Sequence, residues 1–324
     1  MAARTKSKVH PRYKTRYRVK NWQDYEAALK KRGDITVWFD EDAVGAWNAP
    51  SGGRRPGGKQ LYTDLAILTA LTLRTVFHLA LRQTEGFVSS LIRLMDLDLD
   101  TPDHTTLSRR SGTVVVPAAT RMPSGPLHLV IDSTGLKMLG DGEWHNLKHK
   151  TANKRRAWRK LHLAVDGDGF VVAFELTSSG ADDSTVGTAM IEGLEVAIER
   201  FTADGAYDTR AIYEAVIAVG EPGVTIVIPP RETASPSRPT EDLLAQRDAA
   251  IARVADVGRR QWRKESGAHQ QARGENAMFR YKRLIGDGLR AKKPRAQVRE
   301  AKIAVGVLNR MIELGMPKSV KIVA

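Results

Sequence analysis

The chain has 324 residues, 42% of them hydrophobic, enough for one large folded domain or two smaller ones. Lys and Arg number 51 against 37 Asp and Glu, so the formal charge is +14 and the isoelectric point near 10.0, which favours a polyanionic partner, nucleic acid first. Cysteine is absent, which excludes disulfide scaffolds, thiolate zinc sites, iron–sulfur clusters and cysteine nucleophiles, and fits a reducing compartment. No uncharged apolar run approaches the roughly 20 residues a membrane helix needs. The first twenty residues carry eight Lys or Arg and no apolar run of the kind a secretory signal requires. A cytoplasmic protein with no membrane partner is the expectation.

Residues 1–20 read as a basic arm, disordered by itself through self-repulsion. A short strand is expected at 35–39, then a Gly- and Pro-rich loop at 48–59, so residues 1–60 form arm and linker. Leu61, Leu65, Leu68 and Leu71 recur at helical spacing, as do Phe87, Leu91, Ile92 and Met95, predicting two amphipathic helices. Thr101-Pro102-Asp103 supplies an N-cap and a first-turn Pro for a third, short helix that ends in Arg109 and Arg110. Residues 61–112 are therefore expected to be a small helical DNA-binding domain of helix-turn-helix type, with a structural bundle as the alternative.

From residue 126 the pattern turns to strands at 127–131, 160–165 and 170–176, the last two joined by Asp166-Gly167-Asp168-Gly169, a hairpin signal. A helix at 184–199, a strand at 200–203, a helix at 209–219 and a strand at 224–228 follow. Antiparallel strands first and helix-crossed strands afterwards predict an α/β domain over 126–324, a mixed sheet with flanking helices, of which the ribonuclease H-like arrangement is one form. Residues 229–266, opening with Pro229, Pro230, Pro236 and Pro239, are expected to be irregular, and helices at 270–284 and 296–314 close the chain.

Two acids follow apolar strands, Asp132 after Ile131 and Asp204 after Ala203. Open α/β sheets place ligands at such carboxyl ends, although a lone Asp there is also an ordinary turn former. Glu275 and Lys282 lie seven residues apart, two helical turns, and share one stripe with Met278 between them. The eight His are scattered and lack metal-ligand spacing; His145 and His149 sit in a basic stretch and read as DNA-facing or merely exposed. No phosphate-binding Gly-rich loop followed by Lys-Ser or Lys-Thr occurs. Lys148, Lys150, Lys154, Arg155, Arg156, Arg159 and Lys160 form an acid-free cluster after Asp132, flanked by Trp144 and Trp158, with a core role favoured for Trp158. A second cluster, Arg290, Lys292, Lys293, Arg295 and Arg299, reads as a DNA contact or a solvated surface.

Several segments in order resemble the DDE transposases of the insertion sequence five family: Tyr62-Thr63-Asp64-Leu65-Ala66, Leu81-Arg82-Gln83-Thr84-Glu85-Gly86-Phe87, Pro102-Asp103-His104-Thr105-Thr106-Leu107-Ser108-Arg109-Arg110, Ile131-Asp132-Ser133-Thr134-Gly135, Trp158-Arg159-Lys160-Leu161-His162, Asp204-Gly205-Ala206-Tyr207-Asp208 and Glu275-Asn276-Ala277-Met278-Phe279-Arg280-Tyr281-Lys282. The resemblance implies that Asp132, Asp204 and Glu275 are the catalytic acids and Lys282 the family lysine. Ala268 and Gln271 stand where the family usually has Tyr and Arg. It further implies two-metal phosphoryl transfer on double-stranded DNA, with terminal inverted repeats and a target as partners and a homodimer joining two element ends. Mg²⁺ is the expected cofactor, with Mn²⁺ as alternative, Asp132 bridging two ions while Asp204 and Glu275 each complete one. Arg109, Arg110, Lys148, Lys150, Lys154, Arg155, Arg156 and Lys282 are the expected DNA contacts, and nucleoid association follows. A nuclease of the same fold and a DNA-binding regulator with a decayed site are the competing readings.

Overall fold

A computed structural model describes residues 16–50, 61–117, 125–138, 158–237 and 242–322. The end of the basic arm is not free: β1 (Arg16–Val19) pairs antiparallel with the last strand, β8 (Ser319–Ile322), Arg16 opposite Ile322. Backbone pairing offsets the charge repulsion that suggested disorder there. α1 (Trp22–Lys31) follows and is clipped to the C-terminal segment by Asn21 Nδ2 donating to the Met316 carbonyl at 3.0 Å. The strand expected at 35–39 is instead a 3₁₀ turn at Ile35–Val37. Asp34 Oδ1 accepts from the Thr36 amide at 3.0 Å, a local cap that wins over extended pairing.

α2 (Glu41–Gly45) leads to α3 (Asp64–Val76), α4 (Leu81–Leu94) and α5 (His104–Arg110). The third helix begins later than Thr101 suggested, because Asp103 Oδ1 takes the Thr106 amide at 2.7 Å and is the N-cap. Ile67, Leu71, Leu73, Leu91 and Leu107 from these helices share one core with Trp38, Phe39 and Trp47. That core is completed by Ile303, Val307 and Met311 far along the chain, so the helices of 61–112 do not close a core of their own.

The sheet is built from β2 (Leu127–Met138), β3 (Trp158–Val165), β4 (Val171–Ser178), β5 (Ile198–Thr202) and β6 (Gly220–Val227), in the order β4-β3-β2-β5-β6. β2, β3 and β4 pair antiparallel, whereas β2–β5 and β5–β6 pair parallel, which makes the sheet mixed as expected. In the β3–β4 turn Asp166 Oδ1 accepts from the Asp168 and Phe170 amides, both at 2.9 Å, and Gly169 takes φ +86°.

α6 (Asp183–Glu192) and α7 (Arg210–Val219) cover one face through Leu129, Ile131, Phe201, Ile212 and Val216. α6 stops at Glu192, seven residues short of the expected end, since Gly193 caps it and Ile198 is needed as a strand residue. The segment 229–266 is not wholly irregular: α8 (Ala245–Val257) and α9 (Arg259–Glu265) begin once the prolines end, and Val254, Val257 and Trp262 pack together with Val227. α10 (Ala272–Leu284) and α11 (Pro294–Leu314) cover the opposite face, with the short β7 (Gly288–Leu289) between them pairing with β2. Val130, Leu136, Leu161 and Leu163 meet Met278, Tyr281, Ala304 and Leu308 there. α11 thus lies between the sheet and the N-terminal helices. Buried Asn309 on it accepts from the Val171 amide at 2.9 Å and donates to the Val171 carbonyl at 2.8 Å, serving the backbone of edge strand β4. Among the described residues no single helix is long and apolar enough to cross a membrane.

Candidate active site

Asp132 lies inside β2, not beyond its end, because β2 stays paired with β3 as far as Lys137 opposite Trp158. The expectation of a strand-end acid is corrected in this respect, yet the position still ends something. β5 pairs with β2 only up to Val130 opposite Thr202, and β7 rejoins the same edge at Lys137. Among the described residues that edge carries no strand from Ile131 to Leu136, and Asp132 sits in the gap.

Asp204 follows β5 by two residues, as Asp132 follows Val130 by two, so the parallel register carries both acids onto one face of strands roughly 4.8 Å apart. Asp204 is exposed and caps the 3₁₀ turn Gly205–Tyr207, its Oδ1 accepting from the Ala206 amide at 2.8 Å. Glu275, also exposed, is in the first turn of α10. The residue before it sets how near the helix comes: a Cβ on Gly274 would lie 3.1 Å from Asp132 Cβ and 3.3 Å from Val130 Cγ1. Glycine makes that approach without crowding, where any larger residue would press β2 back by a few tenths of an ångström. Gln271 Nε2 donates to the Ile131 carbonyl at 3.3 Å, and Arg273 Nη1 lies 2.8 Å from His128 Nδ1, so α10 is tied to β2 at three points.

Burial pushes the Asp132 carboxyl up to about 6; the Ser133 amide opposes the rise, and the charges of Asp204, Glu275 and Asp183 add to it. Asp132 Oδ1 accepts from that amide at 2.8 Å. An acid held in the field of three others is a site short of positive charge. Among the described residues no three His, Asp or Glu side chains converge to hold one ion. The donor set nonetheless suits a hard divalent cation, because Mg²⁺ takes one or two carboxylates and completes its shell with water and substrate oxygens.

Of the expected DNA contacts, Lys148, Lys150, Lys154, Arg155 and Arg156 lie outside the described residues, as do Trp144, His145 and His149. Lys282 is exposed two turns beyond Glu275 on α10. Arg109 is exposed, whereas Arg110 is held by Asp64 and donates to the Tyr62 carbonyl at 3.2 Å. Arg159 and Lys160 are engaged internally, Arg159 with Gln297 at 2.9 Å and Lys160 with the Ala181 carbonyl at 2.8 Å. Trp158 is 43% exposed and lies over Gly135, contrary to its expected core role. A cleft of about 710 Å³ between α4, α5 and the start of α11 is lined by Arg74, Arg82, Arg109, Arg290, Lys292 and Lys293, with Glu300 as the acid among them. Arg290, Lys292 and Lys293 thus share a concave surface with Arg109.

Asp183 and Gly274 were not singled out from the sequence. The Asp182-Asp183 pair at a helix start looks like a cap, which Asp182 is: its Oδ2 takes the Thr185 amide at 2.8 Å.

Two family models match the chain, both described as a transposase DDE domain. One matches residues 30–141. The other matches residues 123–310, more than half of the sequence, and includes Asp132, Asp204 and Glu275.

Proposed function

Since this chain belongs to the DDE transposase family of metal-dependent DNA cleavage and transfer enzymes, we propose that it is the transposase of an insertion sequence of the insertion sequence five type. In this reading it binds terminal inverted repeats, frees 3′ hydroxyls and joins them to target DNA. The observation that carries the reading is the gap beside β2, where Asp132, partly buried, feels Asp204 from the parallel strand and Glu275 from the overlying helix.

Domains of this family generally use divalent metal ions. Asp132 would hold both of a pair, with Asp204 and Glu275 each serving one, and Mg²⁺ suits the all-carboxylate set, with Mn²⁺ as a substitute. When bound, such ions activate the attacking oxygen and absorb charge on the leaving 3′ oxygen. The chain's own residues do the rest. Gly274 brings the Glu275 helix onto Asp132, the turn capped by Asp204 fixes its carboxylate, and Lys282 presents positive charge on the same helix as Glu275. Arg109 and the basic cleft, with the loop cations Lys148, Lys150, Lys154, Arg155 and Arg156, would neutralise phosphates of double-stranded DNA. Two element ends call for two sites, hence a homodimer on DNA in the nucleoid.

Incubation of the full chain with a duplex bearing its element's end, a target duplex and Mg²⁺ tests the proposal. Cleavage with joined product, abolished by Asp132→Ala at unchanged DNA affinity, is expected. Cleavage without joining assigns a nuclease, and binding without cleavage assigns a regulator.

A further inference from the structure

The turn that presents Asp204 is braced from beneath by a side chain with no part in the chemistry above. Tyr207, three residues after Asp204, closes the 3₁₀ turn and is 1% exposed. Its ring enters α6 at Gly187, where a Cβ would lie 2.8 Å from Tyr207 Cε1 and 3.3 Å from Ile212 Cδ1. α6 therefore carries a socket shaped for that ring.

The Tyr207 hydroxyl is buried and makes no hydrogen bond among the described residues. Burial raises its pKa, and the charges of Asp183, Asp132 and Asp204 raise it further, in that order. The phenol is thus a protonated donor whose foremost charged neighbour is Asp183. Asp183, in the first turn of α6, is only partly exposed, and its Oδ1 also makes no hydrogen bond among the described residues. It is nevertheless fixed in place. Lys160 Nζ lies 3.2 Å from Oδ1 and donates to Oδ2 at 3.3 Å, and the fully buried His162 presents Nδ1 at 3.5 Å. His162 is itself held by Thr177, Nε2 to Oγ1 at 2.9 Å. Asp183 lies one turn before Gly187, on the face of α6 that receives the Tyr207 ring, so a buried donor and a buried acceptor left without hydrogen bonds share that face, which is costly unless a water joins them.

We propose that Tyr207 and Asp183 form a positioning pair, the Tyr207 hydroxyl reaching the Asp183 carboxylate through one bridging water, which sets the Asp204 turn against Asp132 through α6 and β3. The proposal rests on the reading of Asp132 and Asp204 as metal-holding acids. β5 ends two residues before Asp204, so pairing within the sheet alone does not fix that carboxylate. The Tyr207 ring fixes the depth of the turn and its hydroxyl fixes the rotation, with Lys160 and His162 anchoring the acceptor to the strand beside β2. Neither residue touches DNA or metal in this scheme.

The experiment uses the full chain and Tyr207→Phe, which removes one oxygen and keeps the ring, together with Asp183→Asn and the double variant. Bound Mn²⁺ is counted by the electron paramagnetic resonance of the free ion, independently of activity, and end-DNA affinity and cleavage are measured on the same samples. Loss of a partner bonded directly to a metal ligand costs about 10- to 100-fold in metal affinity, and this pair acts one step further back through the turn, so each single variant should raise the Mn²⁺ dissociation constant about 3- to 10-fold. DNA affinity should not change, and cleavage should recover at high Mn²⁺. The double variant should be no worse than the weaker single, as members of one unit behave. Wild-type Mn²⁺ affinity in Tyr207→Phe, or additive losses in the double variant, would overturn the pairing. If Asp183→Asn does not fold, Tyr207→Phe decides alone. A wild type that binds Mn²⁺ without cutting DNA, with binding weakened by Tyr207→Phe, keeps the pair and removes the transposase reading. A wild type that binds no Mn²⁺ removes both.

Discussion

Asp132→Asn should make the metal-free protein more stable at neutral pH while abolishing its chemistry. Folding moves this carboxyl from an ordinary value of 3.8 to about 6, chiefly through burial and then through Asp204, Glu275 and Asp183. At 1.36 kcal/mol per pH unit, and after discounting for residual solvent, the ionised side chain costs about 2–3 kcal/mol in the folded state. The sign follows from proton binding: between pH 3.8 and about 6 the folded chain holds the proton more tightly than the unfolded one, so this group's contribution to stability falls as pH rises through that window. Asn carries no such charge. Urea unfolding in EDTA should therefore show the variant about 2–3 kcal/mol more stable than wild type at pH 7, with most of the difference gone by about pH 4. Added Mg²⁺ should stabilise the wild type by mass action and leave the variant unchanged. Equal or lower stability of Asp132→Asn at pH 7 in EDTA would refute the argument that this acid is partly buried at a site short of positive charge.

Gly274→Ala sets two effects against each other: alanine favours the helix by about 1 kcal/mol, while a methyl 3.1 Å from Asp132 Cβ costs about 1–3 kcal/mol. Net stability should shift by no more than about 2 kcal/mol, but cleavage should fall about tenfold or more as Glu275 is lifted, measured by unfolding and by strand-nicking rates. Replacing Arg82, Lys292 and Lys293 by Ala together should reduce the slope of log binding constant against log salt by about 0.9 for each phosphate no longer neutralised, on duplexes of any sequence; an unchanged slope assigns the cleft to solvent. Asn309→Ala should cost about 2–4 kcal/mol in denaturant unfolding, since it leaves both backbone groups of Val171 without their buried partner. A cost below about 0.5 kcal/mol would mean that Val171 finds other partners.

The mixed sheet and its helices were legible because their apolar residues alternate or recur locally, as in Leu161, Leu163 and Val165 or Ile212 and Val216. The extent of β2 was not. Asp132-Ser133-Thr134-Gly135 breaks the apolar alternation, and only the partner strand, invisible in a local pattern, shows that the backbone stays extended to Met138. The same limit explains the misread start of α5, where Thr101 and Asp103 both suit an N-cap and the hydrogen bond to Thr106 decides. Ile35-Thr36-Val37 has strand composition, but a single Asp34 cap bends it into a turn. At the site, each acid was recognisable from its neighbours in sequence and from the resemblance of the surrounding segments to a known family. Gly274, Tyr207 and Asp183 were not, because their roles lie in the approach of α10 to a distant strand and of α6 to a turn, and no spacing rule encodes either. The engagement of Arg110 was equally illegible: a basic helix end suggests a DNA contact, and only the fold shows that Asp64, 46 residues earlier, pairs with its guanidinium.

The central claim is that Asp132 is shared between two cations, with Asp204 and Glu275 on either side. Crystals of the full chain grown with end DNA and soaked in Mn²⁺ test it through anomalous scattering at the manganese edge. Two peaks about 4 Å apart, both within coordination distance of Asp132, are the predicted result. Well-ordered carboxylates at all three positions with no manganese between them, or manganese bound elsewhere on the chain, would contradict it.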